Sequence, residues 1–509
     1  MYQQMSYSSM QSPQKQGNSV LFQPIQDSNF YCYNFPSLNH HYMCTDQQNQ
    51  QSYGLDSSSV YNSPSTTISF STNGSTTIQE SHSCPLSVTT PTDQPLSITD
   101  NCDLLDNLDI FQGQNQEDPS ENERWKHVLE VVSRRDLKEM MITCAESIAN
   151  NNLFVSDLLI AELKTMVSVA GDPIQRLSAY LLEGLIARLD LTGNCIYKSL
   201  KCNIPTGPKL LSYMQILYEA CPYYKFAYIS ANSAILEAIH QAHCIHIIDF
   251  QIAQGSQWIP IIQSLANRAN GPPLLRITGV DDAQSAYARN GGLEIVGSRL
   301  AKLAKSCKIP FEFHSAAMSG CEVDLNKLGL RPREAIAVNF PYILHHMPDE
   351  SVGTANHRDR LIRLVRGLNP KIVTLIEQES NTNTSSFVPR FKEALEFYTA
   401  MFESVEAAMP GRESRERINV EQNCLARDVV SIVGCEGEER VERHEVLGKW
   451  RARFGMAGFK GCPLSVGVKG CVERLLEGYS KEYKVEEVDG ALFLGWKGRR
   501  LFTCSAWKC

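Results

Sequence analysis

Ile245-His246-Ile247-Ile248-Asp249-Phe250 is apolar at almost every position, and a strand without a polar face has to be covered on both sides. Strands of that kind belong to parallel sheets flanked by helices. Downstream, a polar loop leads into a helix carrying Trp258, Ile261, Ile262 and Leu265 inward, and a strand over 274–279 follows, ending in Asp281-Asp282. A helix at 293–305, strands at 310–314 and 335–340, a helix at 357–368 and a strand at 371–377 continue the alternation. This order predicts an α/β fold with a doubly wound sheet. Three further strands, at 483–488, 491–496 and 501–507, are separated only by Asp489-Gly490 and Lys497-Gly498, pairs suited to tight turns. They predict a C-terminal antiparallel meander on the parallel sheet, a Rossmann-like, methyltransferase-like layout.

Upstream of the central strand the period is helical. Leu137, Met140, Met141, Cys144, Ala145 and Ile148 form one face of an amphipathic helix, with Ser133 and Asp136 as its capping box. A second helix is expected after Ser156. A third begins at Asp172-Pro173 and runs through Leu177, Leu181, Leu185 and Leu189. An N-terminal α-helical cap over 124–242 thus precedes a core over 243–509. Leu137, Met141, Leu177, Leu181 and Leu185 are its candidate partner-binding positions, although an internal core satisfies the same periodicity.

Before about residue 119 the composition shifts to Gln, Ser, Asn, Thr, Tyr and Pro. Such a chain cannot bury enough apolar surface to offset backbone ordering, so 1–119 is expected to be a disordered tail. Within it Asp103-Leu104-Leu105-Asp106-Asn107-Leu108-Asp109-Ile110-Phe111 alternates acidic and bulky residues, as does an activation segment that folds on its partner, or a plain linker. The net charge of −8 argues against a face that grips nucleic-acid phosphates. The 17 cysteines contain no Cys-x-x-Cys pair and fit reduced, buried thiols. No apolar run approaches the length of a membrane span.

Catalytic motifs are incomplete. A nucleotide-type cofactor needs a glycine-rich turn after the first strand and an acid at the end of the second. Asp249, Gly255 and Asp281 supply half of such a pocket, but Gln251-Ile252-Ala253-Gln254-Gly255 holds one glycine. Tandem His345-His346 lacks a carboxylate or cysteine at helical spacing to complete a zinc set, so packing or loop capping is expected and no metal. The mixed charges of 436–445 predict a solvated surface.

Several motifs in order resemble those of GRAS proteins. Ile245, His246, Ile247, Ile248 and Asp249 stand where that family has its Val-His-Ile-Ile-Asp signature, between leucine-rich stretches at 133–189 and 293–303. Pro389, Phe397-Tyr398 and Arg427-Asp428 match the Pro, Phe-Tyr, Arg-Glu region, with the last acid shortened. Trp450 with Gly458, Leu494-Gly495-Trp496 and Ser505-Ala506-Trp507 match the terminal region. Arg276-Ile277-Thr278-Gly279 and the phrases at 345–351 and 377–384 resemble the phytochrome-A-signalling branch of scarecrow-like proteins. The resemblance implies a GRAS domain over 124–509 and a transcriptional co-regulator in plant signalling or development, with light or stress as the signal. It implies DNA-binding transcription factors and other GRAS chains as partners, indirect contact with DNA, no membrane, no catalytic residue and no cofactor. The nucleus is the implied compartment, with the cytoplasm beside it. An S-adenosylmethionine-dependent methyltransferase and a cytoplasmic signalling scaffold remain open as alternatives.

Overall fold

The computed structural model describes residues 119–191, 207–282, 285, 291–411 and 414–509, without the side chains of 119–122 and 207–211. The tail expected over 1–119, with its acidic-apolar segment, lies outside the described residues but for its last position.

Among the described residues six helices come first: α1 (Pro119–Arg134), α2 (Leu137–Ala149), α3 (Leu153–Met166), α4 (Pro173–Leu189), α5 (Gly207–Ala220) and α6 (Tyr223–Ala238). The cap on α2 differs from the expected box. Asp136 alone accepts from the backbone N–H groups of Lys138 and Glu139, while Ser133 Oγ donates to Glu130 O inside α1. The helix expected after Ser156 starts earlier, because Asn152 accepts from Val155 N and places Ser156 within α3. At α4 the reading holds: Asp172 and Gln175 form a reciprocal capping box with Pro173 in the first turn.

The sheet has the order β3-β2-β1-β4-β5-β9-β8-β7. Strands β1 (Cys244–Asp249), β2 (Leu274–Asp281), β3 (Phe311–Ala317), β4 (Ala335–Pro341) and β5 (Ile372–Gln378) pair in parallel. Strand β9 (Arg499–Lys508) joins β5 antiparallel and carries β8 (Ala491–Trp496), β7 (Tyr483–Val488) and the short β6 (Lys460–Cys462). Asp489 and Gly490, then Lys497 and Gly498, all have positive φ, the geometry of two-residue hairpin turns that match strand twist.

Both faces of the sheet are covered. On one lie α9 (His357–Gly367) and α13 (Leu447–Met456), whose Leu361, Ile362, Val365, Trp450 and Phe454 pack with Ile248, Val338, Phe340 and Trp507. On the other α6 sets Tyr223 against Phe502, with ring centroids 4.9 Å apart. Helices α7 (Ile259–Ala266), α8 (Gly292–Ser306) and α14 (Val466–Leu476) complete the layers. The helical cap is not closed at 242. Of the helices inserted between β5 and β6, α10 (Phe387–Ala408) packs on α2 and α4, α11 (Arg415–Cys424) on α5 and α12 (Ala426–Gly434) on α4.

Candidate functional site

Ligands of doubly wound folds bind beyond the carboxyl ends of the strands, and here that crevice is filled by the chain itself. Asp249, at the end of β1, is fully buried. Its carboxylate accepts from Trp258 Nε1 at 2.7 Å and from Gln251 N at 3.2 Å, with Asn339 Nδ2 at 3.4 Å. The loop that follows bends back onto β2. Ala253 and Gly255 both take positive φ, and Ile252 lies so close over Gly279 that a Cβ there would stand 2.9 Å from two of its carbons. Asp281 ends β2 with Oδ2 buried and without a hydrogen bond. Asp249 and Asp281 thus end β1 and β2 and Gly255 lies in the loop between them, with Ile252 packed over Gly279. Behind them Thr374 Oγ1 donates to Asn339 Oδ1, Asn339 Nδ2 to Gln257 Oε1 and Gln257 Nε2 to Asn232 Oδ1, at 2.7, 3.0 and 3.2 Å. This relay joins β5, β4 and α6 and leaves no buried amide of the three unsatisfied.

His246 faces the opposite way along the sheet. Its Nε2 is 2.8 Å from Thr278 Oγ1 and its Nδ1 3.1 Å from Glu334 Oε2. Burial pushes it down to about 4, against the pull of Glu334. Ile245, Ile247 and Ile248 are wholly core, so the signature strand is structural along its length.

A second buried group lies past the ends of β4 and β5. His345, in a 3-10 turn, has Nδ1 2.5 Å from Glu377 Oε2 and Nε2 3.3 Å from Glu442 Oε2. His346 Nε2 lies 3.3 Å from Glu442 Oε1, and His444 Nε2 3.5 Å from Glu442 Oε2. Burial alone would lower His345, but the Glu377 and Glu442 carboxylates raise it to about 10. Burial and the neighbouring Glu442 push the Asp428 carboxyl well up; Tyr398 Oη donates to it at 3.5 Å. Tyr398 and Asp428 are motif residues expected from the sequence, and they back this cluster. Phe397 is buried beside them; Pro389 is exposed in the first turn of α10, and Arg427 is half-buried.

The same region divides the stretch read as solvated surface: 436–439 are exposed, as expected, but 440–445 turn inward. Arg440, Glu442, Arg443, His444 and Glu445 are all buried. Glu445 pairs with Arg453 Nε at 2.7 Å and Arg358 Nη1 at 3.2 Å, and Arg453 also reaches Asp349, Glu350 and Asp359 at 2.8–2.9 Å. Hydrogen bonds from Ser351 and Asn383, with Arg358 close by, outweigh burial and hold Asp349 at about 2. His345 is buried, and its carboxylate partners Glu377 and Glu442 come from distant segments, not from helical spacing.

The terminal motif residues brace the meander. Trp450, Leu494, Trp496, Ser505, Ala506 and Trp507 are buried, and Trp507 stacks on Phe454 at 4.7 Å. Gly458, φ +87°, is the left-handed residue after α13. Its N–H reaches Gly455 O and that of Phe459 reaches Phe454 O, both at 2.9 Å, closing the helix as a Schellman motif. Leu137, Met141, Leu177, Leu181 and Leu185, expected to face a partner, are instead buried in the cap's own core. Helices α10 and α12 supply the apolar surface they meet. The exposed apolar side chains of the cap include Leu153, Phe154 and Leu191, beside a groove of about 510 Å³.

Residues 137–508 match the GRAS domain family. The Scarecrow-like transcription factor PAT1 of Arabidopsis thaliana is 56% identical over 410 residues, 80% of this chain and 83% of that one. Scarecrow-like protein 5 of the same plant is 58% identical over 380 residues, 75% of this chain and 64% of that one. The crystal structure of SCL7 from Oryza sativa has a TM-score of 0.66 and 32% identity, covering 73% of this chain and 99% of that one.

Proposed function

The chain belongs to the GRAS domain family, and from that membership we propose that it acts in the nucleus by contacting DNA-binding transcription factors, without catalysing a reaction. It is a scarecrow-like regulator of transcription in plant signalling or development. The observation that carries the non-catalytic reading is the filled crevice. Asp249, at the end of β1, is committed to Trp258 and Gln251, and Ile252, from the turn that would have to admit a cofactor, covers Gly279. A surplus of acidic over basic residues, 56 against 48, supports an indirect route to DNA. Light or stress is the signal this reading favours, with other GRAS chains as additional partners.

Two measurements on the full chain test it together. Capture from plant nuclear extract is expected to recover DNA-binding factors, and calorimetry with S-adenosylmethionine is expected to give no binding heat. Cofactor heat without such partners would make the methyltransferase reading the better one. Retention of promoter DNA by the chain alone, lost steeply with salt, would overturn the indirect route.

A further inference from the structure

We propose that His345, Glu442 and His444, with His346 completing the set, form a structural binding site for a divalent transition metal of the zinc type. The three buried side chains each offer one ligand atom, and these atoms lie within 4.8 Å of one another. Individual edges are shorter: Glu442 Oε2 stands 3.3 Å from His345 Nε2 and 3.5 Å from His444 Nε2, and Glu442 Oε1 is 3.3 Å from His346 Nε2. A tetrahedral zinc with ligand bonds near 2.0–2.1 Å has ligand-to-ligand edges of about 3.4 Å. The two edges at Glu442 Oε2 match that length, and His346 faces the other oxygen of the same carboxylate.

Hydrogen bonding points the same way. Glu442 Oε2 and His444 Nε2 are buried without any hydrogen-bond partner, so each aims a lone pair into the space between the side chains. The far nitrogens are already engaged: His345 Nδ1 with Glu377, and His444 Nδ1 with Thr382 Oγ1 at 3.2 Å. An imidazole held this way by a carboxylate or hydroxyl presents its other nitrogen to a metal. Glu377 is itself fixed by Leu344 N at 3.0 Å, and Arg443 N bonds to His345 O at 3.0 Å, so the two segments are positioned before any ion arrives. The ion's charge balances the buried Glu377 and Glu442 carboxylates. His346, a third exposed, is the side from which the ion enters. The occupant would staple the turn after β4 to the segment ahead of α13.

The test uses the full chain, stripped with a chelator and titrated with zinc, then with cobalt as a spectroscopic probe. One equivalent of zinc, a higher melting temperature and the visible bands of tetrahedral cobalt are expected. His346→Gln, at the partly exposed ligand, is expected to fold as judged by circular dichroism and to bind 10–100-fold more weakly; Glu442→Gln is expected to lose the site. A folded protein that takes up no metal would show that the cluster is held by a shared proton alone. Uptake unchanged in both variants would place the metal elsewhere and equally overturn the proposal.

Discussion

Burial raises Asp249 to about 7, although Gln251, Trp258 and Asn339 donate to it and favour its charge. An unfolded aspartate loses its proton near pH 4, so between roughly 4 and 7 the native state binds more protons than the unfolded chain. Its contribution to stability therefore falls as pH rises through that window. Asp249→Asn removes the dependence. Set against the parent protein, the variant is expected to gain up to roughly 4 kcal/mol from low to neutral pH, beside a constant loss of about 1–3 kcal/mol for the missing acceptor. His246, which burial pushes down to about 4, has the opposite sign, and it cancels in the difference. Urea midpoints of both proteins at several pH values measure this. A difference that stays constant with pH would mean that the donors outweigh burial and the acid is charged throughout. Asp249 could be picked out from the sequence as a strand-ending acid; its state could not, because Trp258 reaches it through the folded loop and Asn339 from the neighbouring strand β4.

Between elements, the tightest helix contact is that of α4 with α12. A Cβ on Gly184 would lie 2.9 Å from both Cβ and Cγ1 of Val433, and one on Gly434 would lie 3.2 Å from Gly184 O. Gly184→Ala gains about 0.8–1.0 kcal/mol of helix propensity, yet overpacking a core position costs about 1–3 kcal/mol. Net destabilisation is expected in urea unfolding, and Val433→Ala in the same protein should restore part of it. A Gly184→Ala protein as stable as the parent would show that the helices simply move apart. This contact illustrates which features were legible. Strands β1, β2, β4 and β5 could be read because both-face burial is local to each, and the hairpins because Asp489-Gly490 and Lys497-Gly498 specify their own turns. The closure of the cap by α10 to α12 could not, since a leucine stripe does not say which helix covers it. The buried ions of 440–445 were misread for a related reason. Local spacing shows mixed charge, whereas burial depends on Arg358, Asp349 and Arg453 from other segments.

At the scale of the molecule, cap and sheet are built from interleaved chain, and this bears on how it unfolds. Chains beyond about 250–300 residues normally divide into domains that melt separately. Here the chain leaves the sheet after β5 for the cap's later helices and returns to it at β6. Arg176 of α4 is wholly buried and grips Glu421 of α11, 245 residues away, with Nε 3.0 Å from Oε2 and Nη2 2.9 Å from Oε1; Glu406 lies 2.8 Å from Nη1. On the sheet side, Asn232 of α6 is tied through Gln257 and Asn339 to Thr374. The ion pair locks the cap's early helices to its late ones, where breaking it on one side costs about 3–5 kcal/mol, and cap and sheet cannot part without stranding the Asn232 relay. A single calorimetric transition is therefore expected for the folded part of the chain, with van't Hoff and calorimetric enthalpies equal. Glu421→Ala should lower that whole transition by the stranded Arg176 charge. Two resolved transitions, or a variant that shifts only an early one, would show that the helices melt independently and that the interleaved connections do not couple them to the sheet.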